Sequence, residues 1–154
     1  MIRRERLIEG YASVFGETDL AGDVVRAGAF AASLARLSGA PMLFQHRPGK
    51  IAGRWLRLVE DGRGLKVRGL VTDETPYGAA ALDLIDEGRL GGLSIGFVAR
   101  DWRARVGGGR VLKRIDLREV SLVASPMLPS ARFTPLGETA RVAEDQLFEA
   151  RRAA

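Results

Sequence analysis

The chain lacks cysteine altogether and contains one histidine, His46, among its 154 residues. The absence of cysteine excludes disulfide frameworks, thiolate zinc sites and thiol nucleophiles. A single histidine also disfavours a metal centre, because such centres combine several imidazole, thiolate or carboxylate ligands. A domain of this length buries about 68–70% of its unfolded surface without cross-links. We therefore predict one self-sufficient domain that needs neither a disulfide nor a metal to fold.

Long apolar runs and clusters of one charge are also missing. No run approaches the roughly 18–20 apolar residues that span a bilayer. The N-terminus MIRRERLIEG is charged where a signal peptide needs its apolar core. These features predict a soluble intracellular protein with no membrane partner. The 24 basic and 19 acidic residues are dispersed, and because no basic run is interleaved with aromatic residues, nucleic-acid binding is not the expected activity.

The sequence does contain regular strand signals separated by turns. Runs rich in β-branched and aromatic residues predict strands, and the segment 61–64, DGRG, predicts a hairpin turn. Thr75 followed by Pro76 predicts a helix start. The predicted strands cover residues 5–15, 24–26, 41–46, 51–60, 65–71, 93–103 and 110–124, and the predicted helices cover 28–37 and 76–87.

This order of elements predicts an α+β domain with a mainly antiparallel sheet or barrel and two or three flanking helices, because regular βαβ alternation is absent. The composition shifts at residue 135, which divides the chain into a main domain, 1–134, and a C-terminal helical tail, 135–154. We expect the apolar stripe of the tail to pack on the main domain or on a second copy of the chain. The stripe comprises Ala140, Ala143, Leu147 and Ala150.

The segment 91–96 reads GGLSIG and contains the pattern G-x-S-x-G around Ser94. In α/β-hydrolases this pattern marks a strained turn between a strand and a helix, and the histidine follows the serine in the chain. Here His46 precedes Ser94, and the residues IGFVAR after the serine favour a strand. Ser94 is therefore predicted to lie on a strand, where its activation as a nucleophile would require His46 and a third group.

Strand alternation places three polar residues on faces that otherwise look apolar. His46 follows Met42 and Phe44 at alternate positions, on the side expected to face the core. Ser94 shares its side with flanking glycines, which leave the backbone open to an extended substrate. The same rule assigns Glu119 to the side that carries Ile115, Leu117, Ser121 and Val123. A hydroxyl, an imidazole and a carboxylate are the groups of a serine nucleophile, its base and the partner that orients the base.

Each of these residues also has a purely structural explanation. A lone histidine on an apolar face and a strand serine beside glycines are more often structural than catalytic. Glu119 could simply pair with Arg54 or Arg68, since a carboxylate on an apolar face needs a partner. Alternation alone does not establish that the three strands are neighbours.

The chain resembles the prohead serine proteases of tailed bacteriophages over roughly residues 7–133. Four blocks carry the resemblance in order: GYASVFGETDLAGDVVRAGAF, LFQHRPGKIAGRW, LGGLSIGF and REVSLVASPMLPSARF. The resemblance implies the barrel of the herpesvirus assembly proteases, whose nucleophile lies on a strand. It implies that Ser94 is the nucleophile, that His46 is the general base and that Glu119 takes the place of a second histidine found in the herpesvirus enzymes.

Two details of this site stay open. Asp116 or Asp101 would replace Glu119 if the strand register is bulged. The oxyanion donors are expected to be backbone amides of the loop 125–132, because the herpesvirus enzymes use a loop at that place.

The resemblance also implies proteolysis within an immature capsid. The enzyme would act in the bacterial cytoplasm, inside a phage-like procapsid, where it removes the scaffolding segment of the major capsid protein precursor and cuts itself. No cofactor is implied, and a homodimer stays open. One alternative is a non-catalytic capsid-assembly or scaffold-binding domain with the same barrel, and another is a serine esterase with a different orienting group.

Overall fold

The computed structural model describes residues 3–36, 39–137 and 150–152. Close to half of the described residues lie in strands, and residues 150–152 are helical. In chain order the elements are β1 (Glu5–Val14), β2 (Val24–Val25), α1 (Ala31–Arg36), β3 (Pro41–Phe44), β4 (Ile51–Glu60), β5 (Gly64–Thr72), α2 (Pro76–Asp86), β6 (Gly92–Ala104), β7 (Arg110–Val123) and β8 (Phe133–Pro135).

The strands form one mixed sheet of eight strands, in which β7 pairs with three others. Strand β7 pairs antiparallel with β6 and parallel with β2 and β3. From β3 the sheet continues through β4, β5, β1 and β8 by antiparallel pairs. An isolated bridge between Gly92 and Arg132 joins the start of β6 to the segment before β8, so no continuous ladder closes the sheet. The predicted α+β class with mainly antiparallel pairing is confirmed.

Short polar segments begin and end these elements as the sequence predicts. In the β4–β5 turn, Asp61 Oδ1 accepts hydrogen bonds from the backbone N–H groups of Arg63 at 2.8 Å and Gly64 at 3.1 Å. At the start of α2, Thr75 Oγ1 accepts a hydrogen bond from Gly78 N at 3.1 Å, and Pro76 occupies the first turn, where its missing N–H costs nothing. These capping and turn hydrogen bonds join residues at most three apart in the chain, which is why the sequence predicts them.

The core packs strand side chains against the two described helices. Helix α2 contributes three buried apolar side chains to the core, Ala81, Leu82 and Ile85. Phe30, directly before α1, is fully buried and packs against Phe15 with ring centroids 6.3 Å apart. Each fully buried large apolar side chain stabilises the fold by about 1.5–3 kcal/mol. The large strand residues buried most completely are Ile8, Met42, Leu65, Leu93, Leu112, Ile115 and Leu122.

The structure corrects the sequence prediction near two strands. Strand β3 ends at Phe44, so the predicted strand over residues 41–46 is two residues too long and His46 lies outside it. Strand β8 was not predicted; it pairs with β1 and spans the expected domain boundary at residue 134. The apolar stripe of the predicted C-terminal tail lies outside the described residues except at Ala150, which is in the short helical segment.

We predict that Gly10 is required by the β1–β8 pairing. A Cβ built on Gly10 would meet the carbonyl oxygen of Arg132 and would lie 2.8 Å from Phe133 Cα. Because these backbone atoms are fixed by strand pairing, Gly10→Ala should lower the free energy of unfolding by about 1–3 kcal/mol. Gly62→Ala is the matched control, since a Cβ there meets nothing within 4 Å. Urea unfolding curves measure the difference, and equal midpoints for the two variants would contradict the prediction.

Candidate active site

Ser94 and Glu119 lie on the same face of two paired strands. In the β6–β7 ladder, Ser94 is opposite Ser121 and Gly96 is opposite Glu119. Opposed residues of an antiparallel pair project to the same side, and so do residues two apart in one strand. These four residues therefore share one surface, which we call the site face. The core is filled from the other side of β7, for example by the fully buried Val120.

A β-bulge in β7 sets the orientation of the site face. Gly96 is opposite Glu119 whereas Phe97 is opposite Leu117, so Arg118 is an extra residue in the β7 strand. An extra residue reverses the alternation of side chains. Leu117 belongs to the buried core before the bulge, and Glu119 projects to the opposite side after it. The expectation that Glu119 shares a side with Leu117 is therefore wrong.

His46 reaches the site face from a turn that follows β3. Gln45 and His46 both have left-handed backbone conformations, with φ of 53° and 60°. Two hydrogen bonds fix this turn to β7 and its end: Gln45 N donates to Leu122 O at 2.9 Å, and Ala124 N donates to Gln45 Oε1 at 3.2 Å. The expectation that His46 faces the core from a strand is wrong, because the turn carries the ring to the site face instead.

His46 and Glu119 form a direct hydrogen bond. His46 Nδ1 lies 2.5 Å from Glu119 Oε1, and because a carboxylate has no proton to give, Nδ1 is the donor. The other carboxylate oxygen, Oε2, accepts a hydrogen bond from Ser121 Oγ. The side chain of Glu119 is 13% exposed and that of His46 is 41% exposed. The hydrogen bond to Glu119 raises the pKa of His46, while burial of the ring opposes the rise.

Ser94 lies two pairs further along the same ladder and is 7% exposed. The structure therefore brings His46 and Glu119 into contact and places Ser94 beside them on the site face. Among the described residues, no hydrogen bond joins Ser94 to His46. In serine enzymes this bond is often long until substrate binds. Since Nδ1 donates to Glu119, Nε2 is the unprotonated nitrogen of the neutral His46 ring.

The alternative carboxylates are occupied elsewhere or lie apart from the imidazole. Asp116 accepts hydrogen bonds from Arg36 Nη2 at 2.8 Å and from Arg100 Nε at 2.7 Å. The bond from Arg100 lowers the pKa of Asp116, and nearby positive charges act in the same direction. Asp101 is exposed further along β6. Neither Asp116 nor Asp101 is hydrogen-bonded to His46. In the described part of the chain, no arginine forms a salt bridge with Glu119, which is the carboxylate bound to His46.

The loop 125–132, the predicted source of oxyanion donors, lies beside the start of β6. Leu93 N donates to Ala131 O at 2.8 Å, directly before the candidate nucleophile. A second bond ties the loop to an earlier segment, since Leu20 N donates to Met127 O at 2.9 Å. The loop is thus held on two sides next to the strand that carries the serine.

Two contributors to the site were not identified from the sequence. Ser121 has a sequence signal, because it lies two residues after Glu119 on the same strand and must share its side. Gln45 has none, because its contribution depends on a left-handed backbone conformation that glutamine does not favour. The alternation of side chains along a strand therefore indicates Ser121 but not Gln45.

The described residues contain no group of three or more histidine or acidic side chains placed to hold a metal ion. No helix in the ranges 3–36, 39–137 and 150–152 is long and apolar enough to cross a membrane. The site face itself offers a hydroxyl, an imidazole and a carboxylate.

Two solved structures are similar to this fold. The KSHV protease, solved in complex with a hexapeptide phosphonate inhibitor, matches with a TM-score of 0.61 over 98% of this chain and 78% of that chain, at 14% identity. The varicella-zoster virus protease matches with a TM-score of 0.58 over 96% of this chain and 77% of that chain, at 12% identity. The predicted likeness to the herpesvirus protease fold is confirmed.

A phage protein is similar in sequence. The prohead protease of Enterobacteria phage HK97 is 39% identical over 130 residues, which cover 80% of this chain and 56% of that protein. The chain thus spans a little more than half the length of this relative. Residues 2–145 match the family described as caudovirus prohead serine protease. Because that match extends over nearly all of the sequence, the chain belongs to the caudovirus prohead serine protease family.

Proposed function

We propose that this protein is a serine endopeptidase in which Ser94 is the nucleophile, His46 the general base and Glu119 the group that orients the base. The observation that carries the proposal is the hydrogen bond of 2.5 Å between His46 Nδ1 and Glu119 Oε1 on the face that also holds Ser94. This bond fixes the tautomer in which Nε2 is free to act as a base. Membership of the prohead protease family supports the same assignment.

The reaction follows from the positions of these groups. His46 Nε2 removes the proton from Ser94 Oγ while Oγ attacks the carbonyl carbon of the peptide bond. The imidazolium then gives this proton to the nitrogen of the departing amine, which leaves an acyl group on Ser94. Water, deprotonated by the same nitrogen, hydrolyses the ester and restores the serine. The carboxylate of Glu119 orients the imidazole and stabilises the imidazolium.

Backbone amides of the loop 125–132 are proposed to stabilise the oxyanion that forms during the attack. The loop is bonded to the residue before Ser94 through Leu93 N and Ala131 O at 2.8 Å, so it borders the position of the reacting carbonyl. Fixed amide donors near developing negative charge are worth about 10²- to 10³-fold in rate for each donor removed.

The proposed substrate is the precursor of the major capsid protein, from which the enzyme removes the scaffolding segment during maturation of the procapsid. We propose that it acts inside an assembling phage-like procapsid in the bacterial cytoplasm and that it also cuts itself. The support is the family match over residues 2–145 and the likeness to the HK97 prohead protease. Co-expression with the capsid precursor, followed by mass measurement of the precursor N-terminus, tests the substrate directly.

A fluorophosphonate probe separates this proposal from its two alternatives. An activated serine reacts with the probe covalently, whereas a non-catalytic capsid-assembly domain leaves it unchanged. A serine esterase would also react, but it would turn over small activated esters and leave the capsid precursor intact. Labelling that disappears in Ser94→Ala, together with cleavage of the precursor, is the expected result.

We predict that two substitutions differ in the size of their defect. Ser94→Ala removes the covalent route, so cleavage of the precursor should be undetectable. Glu119→Gln keeps the shape of the side chain but loses the charge that stabilises the imidazolium. We expect single-turnover cleavage to slow by about 10²- to 10³-fold, or about 2.7–4 kcal/mol of transition-state stabilisation. Single-turnover rates of folded variants measure both effects.

Asp116→Asn is the matched control for this comparison. Asp116 is on the same strand as Glu119, but its partners are Arg36 and Arg100 rather than His46. The control should cleave at nearly the wild-type rate. A wild-type rate for Glu119→Gln, with Ser94→Ala inactive, would remove Glu119 from the proposed site and leave the nucleophile in place.

We predict that activity falls on acidification at a higher pH than an isolated imidazole would require. The hydrogen bond to Glu119 raises the pKa of His46 above its ordinary value of 6.5, and only the neutral imidazole acts as a base. The value of kcat/KM should therefore be lost as the pH falls through this raised pKa. In Glu119→Gln the same limb of the pH profile should move to lower pH. A limb that stays at the same pH in both proteins would contradict the role of Glu119.

A further inference from the structure

We infer that Ser121 and Gly96 together position the carboxylate of Glu119 against His46, and we call these two residues the Glu119 cradle. One residue supplies a hydrogen bond and the other supplies space. The inference concerns positioning residues for the proposed serine protease reaction, so its catalytic meaning rests on the proposed function. Its structural content rests on contacts within the β6–β7 ladder and is tested separately below.

Ser121 holds one oxygen of the carboxylate. Its side chain is fully buried, and its hydroxyl donates to Glu119 Oε2. His46 occupies the other oxygen, Oε1. A carboxylate with a partner on each oxygen cannot rotate about its last bond without breaking one of the two hydrogen bonds. Ser121 is also directly opposite Ser94 in the ladder. The Ser121 hydroxyl donates its hydrogen bond to Glu119.

Gly96 provides the space in which the Glu119 side chain lies. The two residues are directly opposite each other in the ladder. A Cβ built on Gly96 would lie 2.8 Å from both Cγ and Cδ of Glu119 and would also meet Oε1. Real Cβ atoms do not approach carbon atoms this closely, so any other residue would push the carboxylate away from its present position. The last glycine of the G-x-S-x-G pattern therefore leaves room for a side chain from the neighbouring strand.

Ser121 and Gly96 restrict the conformation of the Glu119 side chain in two different ways. Glu119 has three side-chain torsions and, on a strand face next to solvent, several rotamers are open to it. Its path toward His46 runs across the bare backbone of Gly96, and its end is fixed by Ser121. Removing either residue should leave the fold intact but weaken the contact between Glu119 and His46.

The direct test measures the pKa of His46 by NMR titration in the full chain. His46 is the one histidine of the sequence, so its ring signals are unambiguous. Because the hydrogen bond to Glu119 raises this pKa, Gly96→Ala and Ser121→Ala should both lower it, Gly96→Ala nearly as far as Glu119→Gln. This readout needs no activity and therefore does not depend on the proposed function.

The second measurement is kcat/KM for cleavage of the capsid precursor over a range of pH. We expect Ser121→Ala to lower kcat/KM by about tenfold and Gly96→Ala by about 10²-fold, close to the loss in Glu119→Gln. In both variants the acidic limb of the profile should move to lower pH together with the pKa measured by NMR. A substitution that only loosened the structure would lower the rate without moving this limb.

Two matched controls accompany the variants. Gly91→Ala adds the same methyl group beside β6, where a Cβ meets nothing within 4 Å. Ser33→Ala removes another buried serine hydroxyl, one that accepts a hydrogen bond from Leu117 N at 2.8 Å, away from the site face. Neither control should change the pKa of His46.

The outcomes distinguish a failure of the Glu119 cradle from a failure of the proposed function. An unchanged or increased pKa of His46 in both Gly96→Ala and Ser121→Ala overturns the cradle, whatever the activity. If Ser121→Ala does not fold, Gly96→Ala decides the test alone. Gly96 has no side chain, so this substitution removes no side-chain hydrogen bond. If the pKa falls in the variants but the wild-type protein cleaves no peptide, the cradle stands as structure and the proposed function fails.

Discussion

The bulge at Arg118 is the constraint on which the site depends. Without the extra residue, regular alternation would turn Glu119 toward the core together with Leu117, where an ionised carboxylate costs several kcal/mol. With it, Leu117 and Val120 both remain in the core, and Glu119 emerges beside the strand that carries Ser94. A single inserted residue in β7 thus keeps the apolar side chains in the core and places Glu119 on the site face.

Most of the fold can be predicted from the sequence because its signals are local. The β4–β5 hairpin follows from the turn at 61–64, and helix α2 follows from Thr75 and Pro76, where the cap that the sequence predicts is present. The bulge could not be predicted, because whether a strand inserts an extra residue depends on the partner strand across the ladder. Sequence alternation therefore selected Glu119 while assigning it to the wrong side of the sheet.

The position of His46 was out of reach for a different reason. Left-handed backbone conformations at residues other than glycine cost of order 1–3 kcal/mol each, so the local sequence QH does not by itself predict two of them in a row. The cost is met by hydrogen bonds from Gln45 to β7 and to Ala124 beyond it, which exist only after β3 has paired with β7. The family resemblance identified His46 as a candidate, whereas the backbone conformation that places its ring on the site face depends on tertiary contacts.

The parallel pairing of β3 with β7 joins segments that are far apart in the chain, and His46 and Glu119 are 73 residues apart. Contacts of such long range form late in folding, because the entropy of closing the intervening loop is lost before the contact gains anything. A chain in which β3 and β7 have not yet paired therefore lacks the contact between His46 and Glu119. For the protease proposed above, cleavage would begin only once this pairing is complete.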